Sequence, residues 1–474
     1  MIILDRNKKV PLYEQLYREI RQSILSGQLK KDDRLKPVRV MARELKISHN
    51  TVDRAYMQLL SEGYVRSVQG SGFYVEELFS IYTVPSRNKS ASFSENGESG
   101  DICVKWDFSC LSCENSQFPW NKWRKYLSDS ITEQSYISCI RPQSDQGDQS
   151  LRECIRDYVN RTRAINCDAS QIIIVPGFYY AMDIIMSILP MAHLRTAIEE
   201  PVSEDVKNFF RQKNLPVTAI PVKESGIDAN ILEKTDCNLV CVSPSHNFPT
   251  GITLSLARRV QLLEWSRRSN SYIIENDFGC EYTYKKESLL AIASMDRGNH
   301  VIYINDLSGV MSSQINCTYI ILPEPLLRIY RENFMSFSFP QPLYIQKALA
   351  EFIRDGSYEA QSRKMSALSC RKLEIIKKVF SRSEAKVEVY PEAGGSYVLL
   401  EIKDFPDKEL LLHQLFSRGI KLVSADKCYS FPDNSDNEYY IMGFGAVAED
   451  ELENACRFLE EAVMDIRKKF INTD

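Results

Sequence analysis

Ser48-His49-Asn50-Thr51-Val52-Asp53-Arg54-Ala55-Tyr56 opens like a helix: a serine with N-cap chemistry, then Val52, Ala55, Tyr56 and Leu59 on one inward stripe that runs toward Gly63. Upstream, Leu12, Leu16, Ile20 and Ile24 recur every four residues between Pro11 and Ser26, a helix that Gly27 ends. Val38, Met41, Ala42 and Leu45 mark a short helix between the two. Downstream, Tyr64 to Val68 and Phe73 to Val75 read as strands joined through Gln69-Gly70-Ser71-Gly72, where Gly70 and Gly72 admit the positive φ of a tight turn. Three helices and a hairpin over 1–75 make a winged helix-turn-helix, whose third helix enters the DNA major groove. At its start Ser48, His49, Asn50 and Thr51 can hydrogen-bond base edges or phosphates, and Arg54 lies one turn further on.

The net charge of the 474 residues is -4, which taken whole disfavours a nucleic-acid partner. Its distribution reverses that argument. Residues 1–75 hold 14 Lys and Arg against 8 Asp and Glu, so the head stands at +6 and the remainder at -10. The length and the 44% hydrophobic content imply two or three domains. No apolar run approaches the ~20 residues that cross a bilayer, and the N-terminus lacks the pattern of a signal peptide. A soluble cytoplasmic protein with no membrane partner is expected. Thirteen cysteines, an odd count without paired spacing apart from Cys110-x-x-Cys113, fit reduced thiols. No second pair or nearby histidine completes a zinc site there, so no metal is expected.

Residues 76–105 are almost without apolar content through Pro85 to Gly100 and read as a flexible linker. From Trp106 onward, short apolar runs alternate with amphipathic stretches. Examples are Gln171 to Val175, Asn238 to Val242, Ser271 to Ile274, His300 to Ile304 and Cys317 to Leu322. Strands apolar on both faces and separated by helices predict a mostly parallel sheet in an α/β body over 106–474, with a smaller α+β subdomain from about 360.

The head resembles the GntR family of bacterial regulators. The resemblance rests on Pro11-Leu12-Tyr13-Glu14-Gln15-Leu16, Leu35-x-x-Val38-Arg39-x-x-Ala42, Ile47-Ser48-x-Asn50-Thr51-Val52-x-Arg54-Ala55-Tyr56, Glu62-Gly63-Tyr64 and Gly70-Ser71-Gly72-Phe73-Tyr74-Val75. It implies a double-stranded DNA operator as partner and assigns Arg39 to DNA contact. Lys36-Pro37 stands where members have Pro-Ser, and His49 where they have arginine. A neutral imidazole cannot bridge a guanine as arginine does, so the operator is expected to differ from those of relatives.

The body resembles fold-type I aminotransferases in the arrangement of the MocR subfamily. Its landmarks are Phe118-Pro119, Leu151-Arg152, Glu200-Pro201, Ser243-Pro244-Ser245-His246-Asn247-Phe248-Pro249-Thr250-Gly251 and Ile274-Glu275-Asn276-Asp277-Phe278. In that subfamily the domain holds pyridoxal phosphate, which needs a Schiff-base lysine, a carboxylate at the pyridine nitrogen and groups that grip the phosphate. Here Gly309 stands in the lysine's place after Ser308, and Asn316 in the place of the phosphate-binding arginine. No lysine occurs between Lys286 and Lys347. Asn276 replaces the acid at the ring nitrogen, Phe278 the tyrosine at the ring hydroxyl and Ile441 the arginine that grips a substrate carboxylate. Asn247 and Ser308 are retained, with structural readings open for both, and His246 reads as a hydrogen-bonded loop residue.

The resulting expectation is a regulator and no enzyme, without a covalent cofactor, whose degenerate site leaves the body for dimerisation and for sensing an unknown small molecule. The resemblance implies a homodimer, arranged head-to-tail. Two alternatives stay open. One is non-covalent binding of pyridoxal phosphate, with Asp277 taking over the ring nitrogen through a one-residue shift. The other is a working aminotransferase, which fold alone would suggest.

Overall fold

The computed structural model describes residues 4, 10–68, 70–76, 104–109, 118–132, 146–189, 193–282, 290–311, 315–334, 341–403, 405, 407–430 and 438–471. Two compact units divide at 99/100. Cys110-x-x-Cys113 and residues 77–103 of the expected linker lie outside the described residues.

In the first unit α1 (Leu12–Leu25), α2 (Val38–Leu45) and α3 (His49–Ser61) enclose a small core. Leu16, Ile20 and Ile24 meet Val52, Ala55 and Leu59 there, which is the contact the four-residue spacing foretold. β1 (Val65–Val68) and β2 (Gly72–Val75) pair antiparallel, with Val65 opposite Val75. Gly70 and Gly72 take φ of 75° and 124°, which a side chain disfavours. The hairpin is tied down: Leu35 N–H donates to Phe73 O at 2.8 Å and Val75 N–H to Asp33 O at 3.0 Å. Buried Tyr56 donates to Lys36 O at 2.9 Å and fixes the connection that enters α2.

In the second unit β3 (Trp106–Asp107) precedes α4 (Trp120–Ser130) and α5 (Gln149–Arg163). The central layer then forms from β4 (Ile172–Val175), β5 (Thr196–Glu200), β6 (Val217–Lys223), β7 (Gly226–Ile227), β8 (Leu239–Val242), β9 (Tyr272–Asn276), β10 (Val301–Asp306) and β11 (Thr318–Ile321). Their order is β4-β11-β10-β9-β8-β5-β6-β7. Parallel pairing runs from β10 through β9, β8 and β5 to β6, while β11 is antiparallel to both its neighbours. β4 shows why the strand is apolar throughout: Ile173 and Val175 enter one core and Ile172 and Ile174 another. Helices α6 (Phe178–Ile188), α7 (Glu204–Gln212) and α8 (Leu256–Ser269) connect the strands. They are followed by α9 (Glu324–Phe334), α10 (Leu343–Arg354) and α11 (Ser357–Phe380).

The smaller layer holds β12 (Val387–Gly394), β13 (Tyr397–Ile402), α12 (Lys408–Ser417), β14 (Ile420–Lys421), β15 (Val423–Ser424), β16 (Tyr439–Gly443) and α13 (Glu449–Ile471). Four of its strands form an antiparallel sheet in the order β12-β13-β16-β15. The expectation that this subdomain begins near 360 needs a correction, because the start of the body also belongs to it. β3 pairs parallel with β14, Phe108 accepts from Gly443 N–H at 2.7 Å, and its buried ring joins Phe380, Val398 and Tyr440. That pairing spans more than 300 residues of sequence, a separation that no local pattern reports.

Candidate functional site

Two surfaces carry the candidate residues. On the head, Arg39 of α2 and His49, Asn50 and Arg54 of α3 are exposed, with Thr51 half-buried. Ser48 is the N-cap of α3: its Oγ accepts from Thr51 N–H at 3.1 Å and lies 2.7 Å from Thr51 Oγ1. Both hydroxyls are therefore engaged in starting the helix, a cap of about 1 kcal/mol. The Arg54 guanidinium lies 4.1 Å from the centre of the Tyr13 ring, a cation–π contact that restricts where the charge can point. At the wing, Gly70 is exposed, and a Cβ on Gly72 would come within 3.6 Å of Arg34 Nε. Arg34 also donates to Ser71 O. Tyr13 belongs to the motif that carries the resemblance, but neither its contact with Arg54 nor the role of Arg34 can be read until the fold brings the partners near.

In the body a cavity of about 770 Å³ opens at the C-terminal ends of β9 and β10, the usual place for a ligand in an α/β sheet. Asn276, Phe278, Ser308, Gly309 and Asn316 all line it, although they are distant in sequence. Gly309 closes a 3-10 turn over Leu307–Gly309, where a built Cβ meets nothing within 4 Å. Its carbonyl accepts from Tyr282 OH at 2.9 Å. Ser308 Oγ donates to Asp306 Oδ1 at 2.8 Å and accepts from Cys317 N–H at 3.0 Å, a bracing role. Burial pushes the Asp306 carboxyl up to about 6, against the opposing hydrogen bonds from Ser308.

Asn316 sits at φ 48°, a left-handed conformation that asparagine tolerates better than arginine. Its Nδ2 donates to Pro176 O at 3.4 Å, and its Oδ1 would lie 2.7 Å from a Cβ placed on Gly177. The side chain thus covers the residue that caps the N-terminus of α6. Phe178 begins that helix with its ring edge-on to Phe278 at 6.0 Å.

Asn276 and Asp277 diverge at the end of β9. Asn276 faces the cavity, and its Oδ1 is buried without a hydrogen-bond partner. Asp277 is fully buried outside the lining: its carboxylate pairs with Arg163 at 2.8 Å and accepts from Ser245 Oγ at 2.5 Å and Tyr303 OH at 2.8 Å. All of those partners hold Asp277 in the interior, away from the cavity that Asn276 lines. Asn247 is also absent from the lining; it donates to Pro201 O at 3.1 Å and accepts from Thr250 Oγ1 at 2.7 Å. Its loop is clamped by buried Arg259, which donates to Leu254 O at 2.9 Å and Pro244 O at 2.7 Å. His246 reaches Tyr282 O at 2.8 Å through Nε2.

Residues 12–75 match the family model of bacterial regulatory proteins, gntR family, and residues 105–426 match that of aminotransferase class I and II. The chain belongs to the class I and II aminotransferase family. Its head is a gntR-family helix-turn-helix domain. Among relatives, the uncharacterised HTH-type transcriptional regulator YdeL of Bacillus subtilis is 28% identical, covering 97% of this chain and 98% of its own. The probable rhizopine catabolism regulatory protein MocR of Rhizobium meliloti is also 28% identical, over 79% of this chain and 78% of its own. Kynurenine aminotransferase from Pyrococcus horikoshii has a similar fold, with a TM-score of 0.67 at 18% identity, over 78% of this chain and 92% of its own.

Behind the cavity of this family member, Glu281 is buried and accepts from Asn305 Nδ2 at 3.0 Å and Tyr358 OH at 3.4 Å. Burial pushes its carboxyl up to about 7. An unfolded chain releases that proton near the ordinary value of roughly 4.3. The contribution to stability is therefore complete at low pH and is lost as pH rises toward 7. Glu281→Gln keeps the acceptor and removes the titration. The gap between variant and parent should widen by about 3 kcal/mol in the variant's favour from pH 5 to pH 8, as urea titrations at the two values would show. An unchanged gap across that range contradicts the assignment.

Proposed function

We propose that this chain is a DNA-binding transcription regulator whose body serves dimerisation and ligand sensing without transamination. The observation that supports it most strongly is the placement of exposed His49, Asn50 and Arg54 on α3, with Arg39 on the preceding helix, in a gntR-family head of net charge +6. Direct base contacts from such a helix start specify sequence, while cations set register on the phosphates. Two copies would present two heads to two half-sites, head-to-tail as in the MocR arrangement. The place of action is the cytoplasm, where the DNA lies; among the described residues no helix is long and apolar enough to cross a membrane.

Fluorescence anisotropy of the full chain on DNA from upstream of its own gene tests the reading. Affinity should fall linearly on a log–log plot against salt, with a slope reporting several phosphate contacts. Absence of binding, or binding indifferent to salt, overturns it.

The residues at the cavity do not fit pyridoxal phosphate. Gly309 offers no amine, Asn276 carries no charge to balance a pyridinium, and Asn316 and Phe178 occupy the end of α6 where a phosphate would need cationic or dipolar donors. Calorimetry with the cofactor should show no heat. Gly309→Lys has open space for its side chain, so the variant should fold like the parent, yet it should develop no aldimine absorbance with equimolar cofactor. An aldimine band in that variant, or turnover of an amino-acid and keto-acid pair by the parent, would contradict this part of the reading.

A further inference from the structure

The hairpin of the head closes on a residue that precedes it by more than thirty positions. Arg34 bridges Tyr74 of β2 in antiparallel fashion, between the bonds that Leu35 N–H makes to Phe73 O at 2.8 Å and Val75 N–H to Asp33 O at 3.0 Å. From there its guanidinium reaches the turn and donates to Ser71 O. It packs on the bare face of Gly72, where a Cβ would lie 3.6 Å from Nε and 3.8 Å from Nη2. Ser71 is braced from its other side as well: its N–H donates to Val68 O at 2.9 Å, and its Oγ lies 2.6 Å from Tyr74 OH. The turn therefore carries a cation in a fixed place.

That cation differs from its neighbours. Arg18 pairs with Glu14, Lys36 with Glu44 and Arg66 with Asp32, each at 2.5 Å. Adjacent Asp33 is turned to the backbone, where it accepts from Lys30 N–H at 2.7 Å. Among the described residues no carboxylate forms an ion pair with exposed Arg34. Arg39 and Arg54, the candidate DNA contacts, share that state. A surface cation with no carboxylate to offset it keeps its whole charge for a phosphate, and a guanidinium has five N–H donors, of which the bond to Ser71 O engages one.

We propose that Arg34 contacts DNA: its guanidinium holds the turn of the hairpin through Ser71 O and gives its other N–H donors to a phosphate flanking the bases that α3 reads. Planar forked donors suit a phosphate, so one group can brace the protein and grip the duplex together. This rests on the reading of the chain as a DNA-binding regulator, and it places a backbone-gripping cation at the hairpin.

Fluorescence anisotropy of the full chain tests it on two duplexes of equal length, one from upstream of its own gene and one of unrelated sequence. Arg34→Gln keeps an amide donor for Ser71 O and removes the charge. It should weaken both duplexes by a similar factor, about three- to tenfold, and make the salt slope shallower by about one. Arg34→Lys should keep the slope of the parent. Amide hydrogen exchange across residues 72–75 should match the parent in Arg34→Gln, which separates a lost contact from a loosened hairpin. An unchanged slope in Arg34→Gln overturns the contact, and if exchange is then faster Arg34 is a brace alone. A parent that binds neither duplex overturns the DNA-binding reading as well, whereas a parent that binds with a steep slope matched by Arg34→Gln sinks only the Arg34 contact.

Discussion

Arg163→Met is expected to lower the unfolding free energy of the body by about 3–5 kcal/mol. Arg163 ends α5 with its side chain 5% exposed and faces Asp277 at 0%. Burial alone would pull the guanidinium down, and Asp277 more than offsets it, so the group is held well above its usual range. Ser245 completes the set, accepting from Arg163 at 3.0 Å while donating to Asp277. Removing the cation leaves a carboxylate in the interior with two hydroxyl donors and, among the described residues, only the more distant charge of buried Arg259 to offset it. All four tryptophans of the chain, at 106, 120, 123 and 265, lie in the body, so urea unfolding followed by their fluorescence reports this unit without the head. The double variant Arg163→Met with Asp277→Leu should recover most of the loss, since replacing both members of a buried pair is often close to neutral. A double variant as unstable as the single would show that the arginine acts through packing instead of charge.

Arg54→Ala and Arg39→Ala should each reduce operator affinity about 10- to 100-fold, the span of a lost contact worth roughly 1–3 kcal/mol. The salt slope distinguishes the roles. A residue bound to phosphate lowers it by about one, whereas a residue bound to a base edge leaves it in place and relaxes sequence preference. Tyr13→Leu should have a smaller effect, about two- to fivefold, because an exposed cation–π contact is worth roughly 0.5–1 kcal/mol and orients Arg54 without touching DNA. Full affinity in both arginine variants would remove α2 and α3 from the interface. Melting of the head should be unchanged in Arg39→Ala and, in Arg54→Ala, fall by no more than the roughly 0.5–1 kcal/mol of the Tyr13 contact, since both arginines are exposed.

The head was legible because its determinants are local. Leu16, Ile20 and Ile24 repeat at helical spacing, and Gly70 and Gly72 sit where a two-strand turn needs positive φ. The same locality made the strands of the body readable, as Ile172 to Val175 and Leu239 to Val242 are apolar on both faces. Strand order was a different matter. β11 lies antiparallel between β4 and β10, and β3 joins β14 from the far end of the chain, pairings set by sheet edges and core shape that no window of sequence contains.

For the candidate sites the division is similar. Asn276, Phe278, Gly309 and Asn316 could be singled out from sequence through the resemblance, because it concerns which functional groups exist. Whether those residues meet depended on the sheet: β9 and β10 run parallel, and their C-terminal ends bring Asn276 and the 307–309 turn to one cavity. Strand alternation also settled the choice between Asn276 and Asp277, since consecutive side chains leave on opposite faces and only one could reach the cavity. The amino acids alone determined that this protein has a basic winged head and no lysine between Lys286 and Lys347. Tertiary structure alone decided that a cavity opens at the C-terminal ends of β9 and β10, that Arg163 holds Asp277 inside, and that Tyr13 contacts Arg54. Chemical inventory is carried by residue identity, whereas distance, burial and charge pairing exist only once remote segments have packed.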